Sequence, residues 1–469
     1  MRLPPQFRAL AAGLLTGLAT LTPAAWLAVF PLAAWLALAA QQDTGRRMGW
    51  GAFGYTAAHL WWVTVLAAQV FGFAPAGVLA LALYAAEGLF FAGLGWLVLR
   101  LFHTPGQRLW ALAGGWVLLE YLRTLGTLAF PWPTLGMVWL ETPVIQTADL
   151  GGILLLSWLT TLLAAALADW RTDRRPLGLG LGLLALATGY GLTRTPAAGP
   201  AASAYLTRTD VDSFDRLKGG QLLPSLLEAS AGRAPGEPVI WSETALLRDL
   251  NDPALFPGPG ISGAGLAAGG VNTVVALDAA GRVVGENHKG RPVPFGETFP
   301  FQLLLRPLYT VLGALTGFDL TTSVQPARQM VPLDLAGVRY GAYVCYDSVF
   351  SWPARQLTRQ GAEVLVNVSN DSWYAAAGVR QHFDLGRVRA IENRRWVLRA
   401  VQRGWAGSVD DLGRPRQVLK EGQGGVSAEY RRLSGQTVYS RVGDLPALAL
   451  AGALLLLAWR PRTPGKKRG

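Results

Sequence analysis

The sequence predicts a protein in two parts, a polytopic α-helical membrane domain with about eight transmembrane helices and an extracytoplasmic α/β domain. Composition is the first observation: 51% of the 469 residues are hydrophobic and only 15% are charged, whereas soluble globular domains carry about 25% charged residues. The second is a series of long apolar segments over residues 1–194. The third is a change of pattern near residue 195, after which short β-rich runs alternate with helical stretches.

Eight apolar segments are candidates for membrane helices, because a span takes about 20 residues, with a range of roughly 17–25. They lie at 8–22, 24–40, 50–70, 75–99, 108–127, 148–168, 177–193 and 445–459. The first two are short and separated by Pro23, and the last is the weakest candidate. The predicted division is a transmembrane domain at 1–194 with about seven helices, an α/β domain at 195–444, and a last helix with a basic tail at 445–469.

Basic residues divide the loops between these segments into two groups. They fall before the first segment and in alternate loops: Arg2, Arg8, Arg46, Arg47, Arg100, Arg108, Arg171, Arg174, Arg175 and the tail at 460–468. The intervening loops, near 23, at 71–74 and at 128–147, contain no Lys or Arg. Because short cytoplasmic loops carry an excess of Lys and Arg, both termini are predicted to be cytoplasmic and residues 195–444 extracytoplasmic.

The pattern of residues 195–444 is typical of a layered α/β domain, in which strands alternate with helices. Strand-like runs occur at 238–241, 272–277, 338–344 and 362–368, with helical stretches near 217–230 and 350–360. A long helix is predicted at about 379–402. Its arginines are predicted to form a solvated face: Arg387, Arg389, Arg394, Arg395 and Arg399.

Composition also excludes several classes of function. The basic residues behind the net charge of +12 lie in short loops and the tail. This distribution indicates membrane topology and not binding of nucleic acid. A single cysteine excludes an intramolecular disulfide and a multi-cysteine metal site, and four scattered histidines make a zinc site unexpected. No Walker or Rossmann fingerprint is present, so neither a metal nor a cofactor is predicted. Nothing indicates an obligate assembly, and we expect a monomer.

Three residues are the candidates for catalysis, and each follows or nearly follows a predicted strand: Glu243, Lys289 and Cys345. Sheets in α/β proteins present catalytic groups at the carboxyl ends of their strands. A thiol is a strong nucleophile only as a thiolate and needs a base. Glu243 is suited to take the thiol proton, and Lys289 to stabilise an oxyanion. A further carboxylate, Glu297, is placed to orient Lys289 or the base.

Each of these residues also has an ordinary structural interpretation. An isolated buried cysteine usually behaves as a small hydrophobic residue, and an isolated Glu or Lys after a strand is usually solvated. The surrounding motifs favour the catalytic interpretation.

The motifs resemble the nitrilase (carbon–nitrogen hydrolase) superfamily. They are WSETA at 241–245, KGRPVPFGE at 289–297, CYD at 345–347, NVSNDSWY at 367–374 and QHF at 381–383. Two more are FPW with LG at 130–136, and TVYSRVGD at 437–444. Taken together with the membrane segments, they resemble the apolipoprotein N-acyltransferase family over nearly the whole chain and in the right order.

The resemblance implies a nitrilase-like α-β-β-α sandwich on an eight-helix domain in the bacterial plasma membrane, with a Glu243–Lys289–Cys345 triad. It implies a ping-pong reaction in which Cys345 takes an acyl chain from the sn-1 position of a phospholipid. The acceptor would be the N-terminal amine of diacylglyceryl-cysteine in an apolipoprotein. Glu297 and Tyr346 match positions that support the site in the family.

The sequence departs from the family pattern in three places, one of which is the stretch at 290–292 beside Lys289, where the family favours a less irregular segment. Asp347 stands where the family usually has Glu, which shortens the side chain by one methylene group. The early strand motif, at 205–214, has no tryptophan, and Phe214 is the candidate aromatic contact for lipid. Trp373 and Tyr374 are candidates for a lid over the acyl chains, with ordinary loop packing as the alternative.

Two other functions remain open from the sequence. A membrane-anchored nitrilase-type amidase would use the same triad with water as acceptor. A transporter or scaffold would only bind through its extracytoplasmic domain, and it predicts that Cys345→Ala keeps function.

Overall fold

The computed structural model describes residues 4–213, 222–246, 256–266, 271–317 and 319–459. Phe214 and the basic tail at 460–469 lie outside the described residues, as does part of the helix predicted at 217–230. The helices are α1 (Pro5–Ala19), α2 (Val29–Ala39), α3 (Thr44–His59), α4 (Trp62–Phe71), α5 (Ala80–Leu101), α6 (Pro105–Leu122), α7 (Ala148–Asp169), α8 (Arg175–Leu192), α9 (Leu223–Ala229), α10 (Gln302–Thr316), α11 (Ser351–Arg359), α12 (Ala376–Asn393), α13 (Val438–Val442) and α14 (Leu445–Trp459).

Helices α1–α8 and α14 form the helical half of the molecule. Close contacts between small residues hold α1 against α3, because a Cβ on Gly13 would lie 1.9 Å from the carbonyl oxygen of Gly51. Small residues at such crossings let helix backbones approach each other. Aromatic rings fill the centre of the bundle, where the Phe91 and Trp116 centroids are 4.6 Å apart. Large apolar side chains also face outward, among them Leu89 and Leu456.

The eight predicted membrane spans are not confirmed as spans. Two helical stretches of the described residues are long and apolar enough to cross a membrane, Ala74–Leu101 and Pro143–Asp169, and shorter apolar helices include Ala25–Ala39, Trp62–Phe71 and Leu445–Trp459. The segment predicted at 50–70 is in fact divided between α3 and α4. Leu60 has φ −105° and ψ 27°, outside the helical region, and it ends α3 after His59. The domain bounds at 194 and 444 stay a prediction.

The α/β half contains one continuous sheet that folds into two facing layers. Its strands are β1 (Ala201–Thr209), β2 (Val239–Ile240), β3 (Gly260–Leu266), β4 (Val271–Leu277), β5 (Val283–His288), β6 (Leu333–Leu335), β7 (Val338–Val344), β8 (Val364–Asn370), β9 (Val397–Gln402), β10 (Ala406–Val409), β11 (Pro415–Leu419) and β12 (Gly424–Arg431). The order is β5-β4-β3-β2-β1-β9-β8-β7-β6. β12 pairs with β1, and β10 pairs with β9 and β11.

The core between the layers comes from strands at both ends of this order. Ile240 and Val274 of β2 and β4 share one buried cluster with Val344, Val366 and Leu398 of β7, β8 and β9. Strands rich in Val, Ile and Leu are expected where a parallel sheet is buried on both faces, and β7, β8 and β9 are parallel neighbours. The predicted sandwich of two sheet layers is therefore confirmed.

Helices cover both outer faces of the sandwich. On one side Leu357 of α11 and Phe383 of α12 pack with Leu365 of β8. On the other side Leu226 of α9 packs with Val239 of β2. The layers are thus α-β-β-α, as predicted.

The prediction of a long basic helix at 379–402 was wrong about the length of the helix and about the solvent exposure of its arginines. Helix α12 ends at Asn393, because Arg394 adopts a left-handed conformation with φ 48°. The predicted solvated face is largely buried: Arg389 is 1% exposed and Arg399 is 2% exposed. Each pairs with a carboxylate, Arg389 with Glu392 at 3.1 Å and Arg399 with Asp371 at 2.6 Å. Buried charges need such partners.

The two halves are joined by polar contacts along α7 and α12. The Gly152 backbone has φ +71° and breaks α7, so the next N–H lies at a new helix start without a partner within the helix. That N–H, of Ile153, donates to Glu392 Oε1 at 3.0 Å. Arg394 pairs with Asp149 at 2.8 Å. The α/β half therefore has a fixed orientation on the helical half.

Candidate active site

Three chain turns bring the predicted catalytic residues to the same edge of the sandwich. Cys345 directly follows β7 and begins a 3-10 turn. Lys289 directly follows β5, and Glu243 lies three residues after β2. Cys345 has φ +47°, a conformation that non-glycine residues adopt rarely and that is enriched at functional sites.

Lys289 lies between two carboxylates. Its Nζ donates to Glu243 Oε1 at 2.9 Å and to Glu297 Oε1 at 2.7 Å. Lys289 is 1% exposed and Glu243 is 5% exposed, so the cluster is shielded from water. The amide of Asn272 donates to the same two oxygens, at 2.7 Å and 2.9 Å. The predicted proximity of Glu243, Lys289 and Glu297 is therefore observed.

Asn272 was not among the site residues predicted from the sequence. It is 6% exposed and is the second residue of β4, and the sequence predicted it only as part of a strand. A polar amide at the start of a buried strand, close in the chain to a candidate lysine, was the available signal. Its two hydrogen bonds fix both carboxylates in position around Lys289.

The Cys345 thiol is held in its protonated form. Burial is the main cause that raises its pKa well above the ordinary value, and the charge of Glu243 raises it further, while Lys289 lowers it. The sulfur lies 4.0 Å from the Asn370 carbonyl oxygen. Since the thiolate is the reactive form, this cysteine needs a base at the moment of attack.

Lys289 stays charged in this site. Burial lowers its pKa, but Glu243, Glu297 and Cys345 together outweigh burial, and the net pKa is raised well above the ordinary value. A permanent buried cation beside a nucleophile stabilises negative charge that develops in a transition state.

Asp347 ties the nucleophile turn to the lysine loop. It is fully buried and accepts hydrogen bonds from the backbone N–H groups of Val344 at 3.1 Å, Gly290 at 3.1 Å and Arg291 at 2.7 Å. The shorter Asp therefore still reaches both segments. Burial raises the pKa of Asp347 to about 6, with Lys289 and these N–H groups opposing the shift.

Tyr346 connects the nucleophile turn to the helical half. Its ring is 2% exposed, and its hydroxyl donates to the Ala129 carbonyl at 3.2 Å. The residue after Cys345 therefore contacts the loop between α6 and α7.

A buried charged cluster lies under the nucleophile turn. His382 Nδ1 is 2.9 Å from Asp371 Oδ1, and Nε2 is 2.9 Å from Ser348 Oγ and 3.2 Å from the Cys345 carbonyl. Arg399 donates to both oxygens of Asp371, at 2.8 Å and 2.6 Å. Burial tends to raise the pKa of Asp371, but Arg399 and His382 outweigh it and hold the pKa at about 2.

Tyr374 belongs to an aromatic wall beside the site. Its ring centroid is 5.2 Å from Trp62 and 5.7 Å from Trp132, both in the helical half. Trp373, the preceding residue, is half-buried, and Phe214 lies outside the described residues. A role of these side chains in binding substrate stays a prediction. Among the described residues, no group of three or more His, Cys, Asp or Glu side chains is placed to hold a metal.

Comparison with known proteins defines the class of this chain. Residues 12–166 match the apolipoprotein N-acyltransferase N-terminal domain, and residues 260–430 match the carbon–nitrogen hydrolase domain. The chain therefore combines a helical part that matches an acyltransferase N-terminal domain with an α/β part that matches a carbon–nitrogen hydrolase domain. A carbon–nitrogen hydrolase from Helicobacter pylori G27 is similar at 14% identity and a TM-score of 0.37, over 56% of this chain and 95% of that one.

Curated relatives identify the family. The apolipoprotein N-acyltransferase of Brucella melitensis is 30% identical over 486 residues, covering 90% of this chain and 89% of the relative. That of Pseudomonas aeruginosa is 30% identical over 380 residues, covering 74% and 73%. That of Geobacter metallireducens is 28% identical over 383 residues, covering 73% and 72%. The chain belongs to the apolipoprotein N-acyltransferase family.

Proposed function

We propose that this acyltransferase moves an acyl chain from the sn-1 position of a phospholipid, through a Cys345 thioester, to the N-terminal amine of diacylglyceryl-cysteine in apolipoproteins. One observation carries the proposal: the buried Cys345 thiol is within electrostatic reach of the buried Glu243–Lys289 pair, and the next residue, Tyr346, bonds the helical half. A hydrolase acting on small soluble amides has no need of such a contact. A bilayer substrate does, because its ester must reach the thiol without leaving the lipid.

The first half-reaction loads the cysteine. Glu243 takes the Cys345 proton as the sulfur attacks the ester carbonyl. Lys289, with a backbone N–H near Cys345, stabilises the oxyanion. The C–O bond then breaks, the proton passes from Glu243 to the leaving alcohol oxygen, and lysophospholipid departs.

The second half-reaction transfers the acyl chain from Cys345 to the acceptor amine. The free α-amine attacks the thioester carbonyl, and Glu243 takes a proton from the attacking nitrogen. The C–S bond breaks, the sulfur regains a proton, and the acyl chain is left in an amide. No cofactor takes part in either half-reaction.

The proposed setting is the bacterial plasma membrane. The family assignment and the two long apolar stretches, Ala74–Leu101 and Pro143–Asp169, support a multi-pass protein. The basic loops favour cytoplasmic termini and an extracytoplasmic α/β half. The partners are then a phospholipid donor and a diacylglyceryl apolipoprotein acceptor, and we propose that the protein acts as a monomer.

A product assay separates this function from the alternative of a membrane-anchored amidase. Purified protein in phospholipid vesicles, given a diacylglyceryl-cysteine peptide, should yield N-acylated peptide and lysophospholipid in equal amounts. Cys345→Ala should yield neither, with Ser203→Ala, at a half-buried position of β1, as a matched control at wild-type level. Ammonia release from small amides, with no N-acylated peptide, would contradict the acyltransferase and favour the amidase. Product from Cys345→Ala would contradict the thioester.

A further inference from the structure

Gln381 holds the two halves of the molecule together at the edge of the site. Its Oε1 accepts hydrogen bonds from the indole N–H groups of Trp62 at 3.0 Å and Trp132 at 2.8 Å. Its Nε2 donates to the His59 carbonyl at 2.9 Å. One amide therefore fixes the junction of α3 and α4 and the loop after α6 against helix α12.

The two tryptophans form a closed wall with their neighbours. Trp62 and Trp132 are 2% and 3% exposed, and their ring centroids are 5.4 Å apart. Trp62 lies so close to α12 that a Cβ on Gly378 would meet its ring at 2.8 Å. An indole buried on all sides needs a partner for its N–H. Gln381 supplies that partner for both rings at once.

The nucleophile lies on one side of this wall. Trp132 contacts His382 at a ring distance of 5.9 Å, and Tyr374 contacts His382 at 5.3 Å. His382 in turn contacts the Cys345 carbonyl. Because Gln381 and His382 are consecutive in α12, they point to different faces of the helix.

A water-accessible cavity lies on the other side. It has a volume of about 450 Å³ between the two halves, and its lining includes Trp132, Gln381, Met137 and the polar groups of Glu141, Arg380 and Asp384. A water molecule takes about 30 Å³ in the liquid, so the cavity has room for several. Neither Cys345 nor Lys289 lines it.

We propose that Gln381 is a positioning residue that holds Trp62 and Trp132 as a wall between this cavity and the Cys345 thioester, and so directs the acyl group to the amine and away from water. The inference rests on the proposed function. Two reactions compete for the thioester. Attack by the amine breaks the C–S bond and gives amide and thiol. Attack by water breaks the same bond, passes its proton to sulfur and gives fatty acid and thiol.

The test is the ratio of N-acylated peptide to free fatty acid, measured by mass spectrometry on full-length protein in phospholipid vesicles. Gln381→Leu removes all three hydrogen bonds, and the ratio should fall about ten-fold. Trp62→Phe removes one of them and should shift the ratio in the same direction by less. Arg380→Gln changes the preceding residue of α12, which also lines the cavity, and should keep the wild-type ratio.

The ratio does not depend on how much protein is folded, since misfolding lowers both products equally. Equal loss of both products in Trp62→Phe, or an unchanged ratio in Trp62→Phe and Gln381→Leu, would overturn the proposal. If Gln381→Leu fails to fold, the product ratio of Trp62→Phe alone decides whether the proposal holds. Absence of any acyl adduct in the wild type would instead contradict the proposed function.

Discussion

At the residue scale, the chemistry depends on a cysteine whose surroundings oppose ionisation. Burial and the neighbouring Glu243 both raise the pKa of the Cys345 thiol. A resting thiol is less exposed to oxidation and stray alkylation than a thiolate. In the proposed mechanism, the same Glu243 that disfavours the thiolate is the base that creates it when substrate is present.

Substitution of Glu243 by Gln separates these two roles. The pKa of Cys345 should fall, because a negative charge that raises it is removed, while acyl transfer should fall by roughly 10²–10⁴-fold through loss of the base. The measurements are the pH dependence of iodoacetamide alkylation and the single-turnover rate of acylation. Glu286→Gln is the control, since its carboxylate is half exposed on β5. Wild-type acylation by Glu243→Gln would remove Glu243 from the mechanism.

The sequence predicted the positions of Glu243, Lys289 and Cys345 near strand ends because each lies in a motif, while their catalytic roles stay a prediction. It could not reveal the partners that come from elsewhere in the chain. Asn272 bonds both carboxylates of the site but has no motif of its own. Asp347 was predicted as a supporting residue, but its three backbone donors depend on how the lysine loop folds over the turn.

At the scale of elements, β8, β9 and α12 are held together under the site by charge. Asp371 follows β8, Arg399 lies in β9 and His382 lies in α12. The solvated face predicted for this arginine-rich segment was wrong for a simple reason. Arginines on an exposed helix face and arginines in buried ion pairs give the same local sequence pattern. Some of the carboxylates that pair with these arginines, such as Asp149 and Glu141, lie more than 200 residues away in sequence.

Asp371→Asn should destabilise the protein by roughly 3–5 kcal/mol, because it leaves the Arg399 charge buried without its partner. The control is Asp334→Asn, whose exposed pair with Arg339 spans 3.6 Å and should contribute at most about 1 kcal/mol. Urea unfolding followed by tryptophan fluorescence measures both. Equal stability of the two variants would contradict a structural role for the cluster.

The contribution of this cluster to the stability of the fold should decrease as pH falls. The pKa of Asp371 is lowered from 3.8 to about 2 in the folded protein, so its contribution is complete above pH 3.8 and is lost as pH falls toward 2. The pKa of His382 is also lowered, mainly by burial, so its contribution is lost as pH falls below its ordinary value of 6.5. Asp371→Asn should therefore reduce the stability change between about pH 4 and 2, because it removes the contribution of Asp371.

At the scale of the whole molecule, the sequence predicted the order of the parts better than their boundaries. The alternation of strands and helices specified the sandwich, and hydropathy separated it from the helical half. Hydropathy did not predict the break at Leu60, because residues on both sides are apolar. It also did not predict that α12 packs along α7, since that contact depends on a glycine break, a hydrogen bond from the Ile153 N–H to Glu392 and an ion pair between Arg394 and Asp149.

The contacts between the two halves are consistent with the proposal that this site acts on a lipid substrate. The nucleophile turn contacts the helical half through Tyr346, and Gln381 closes the adjacent wall. The thioester would thus form next to the lipid phase and be shielded from the cavity until an amine arrives.

The most direct test of this account is mass spectrometry of the Cys345 peptide after purified protein is incubated with phospholipid. The account predicts an acyl adduct that hydroxylamine removes and that a diacylglyceryl-cysteine peptide discharges faster than water does. Folded protein that gives no adduct with any phospholipid would contradict it.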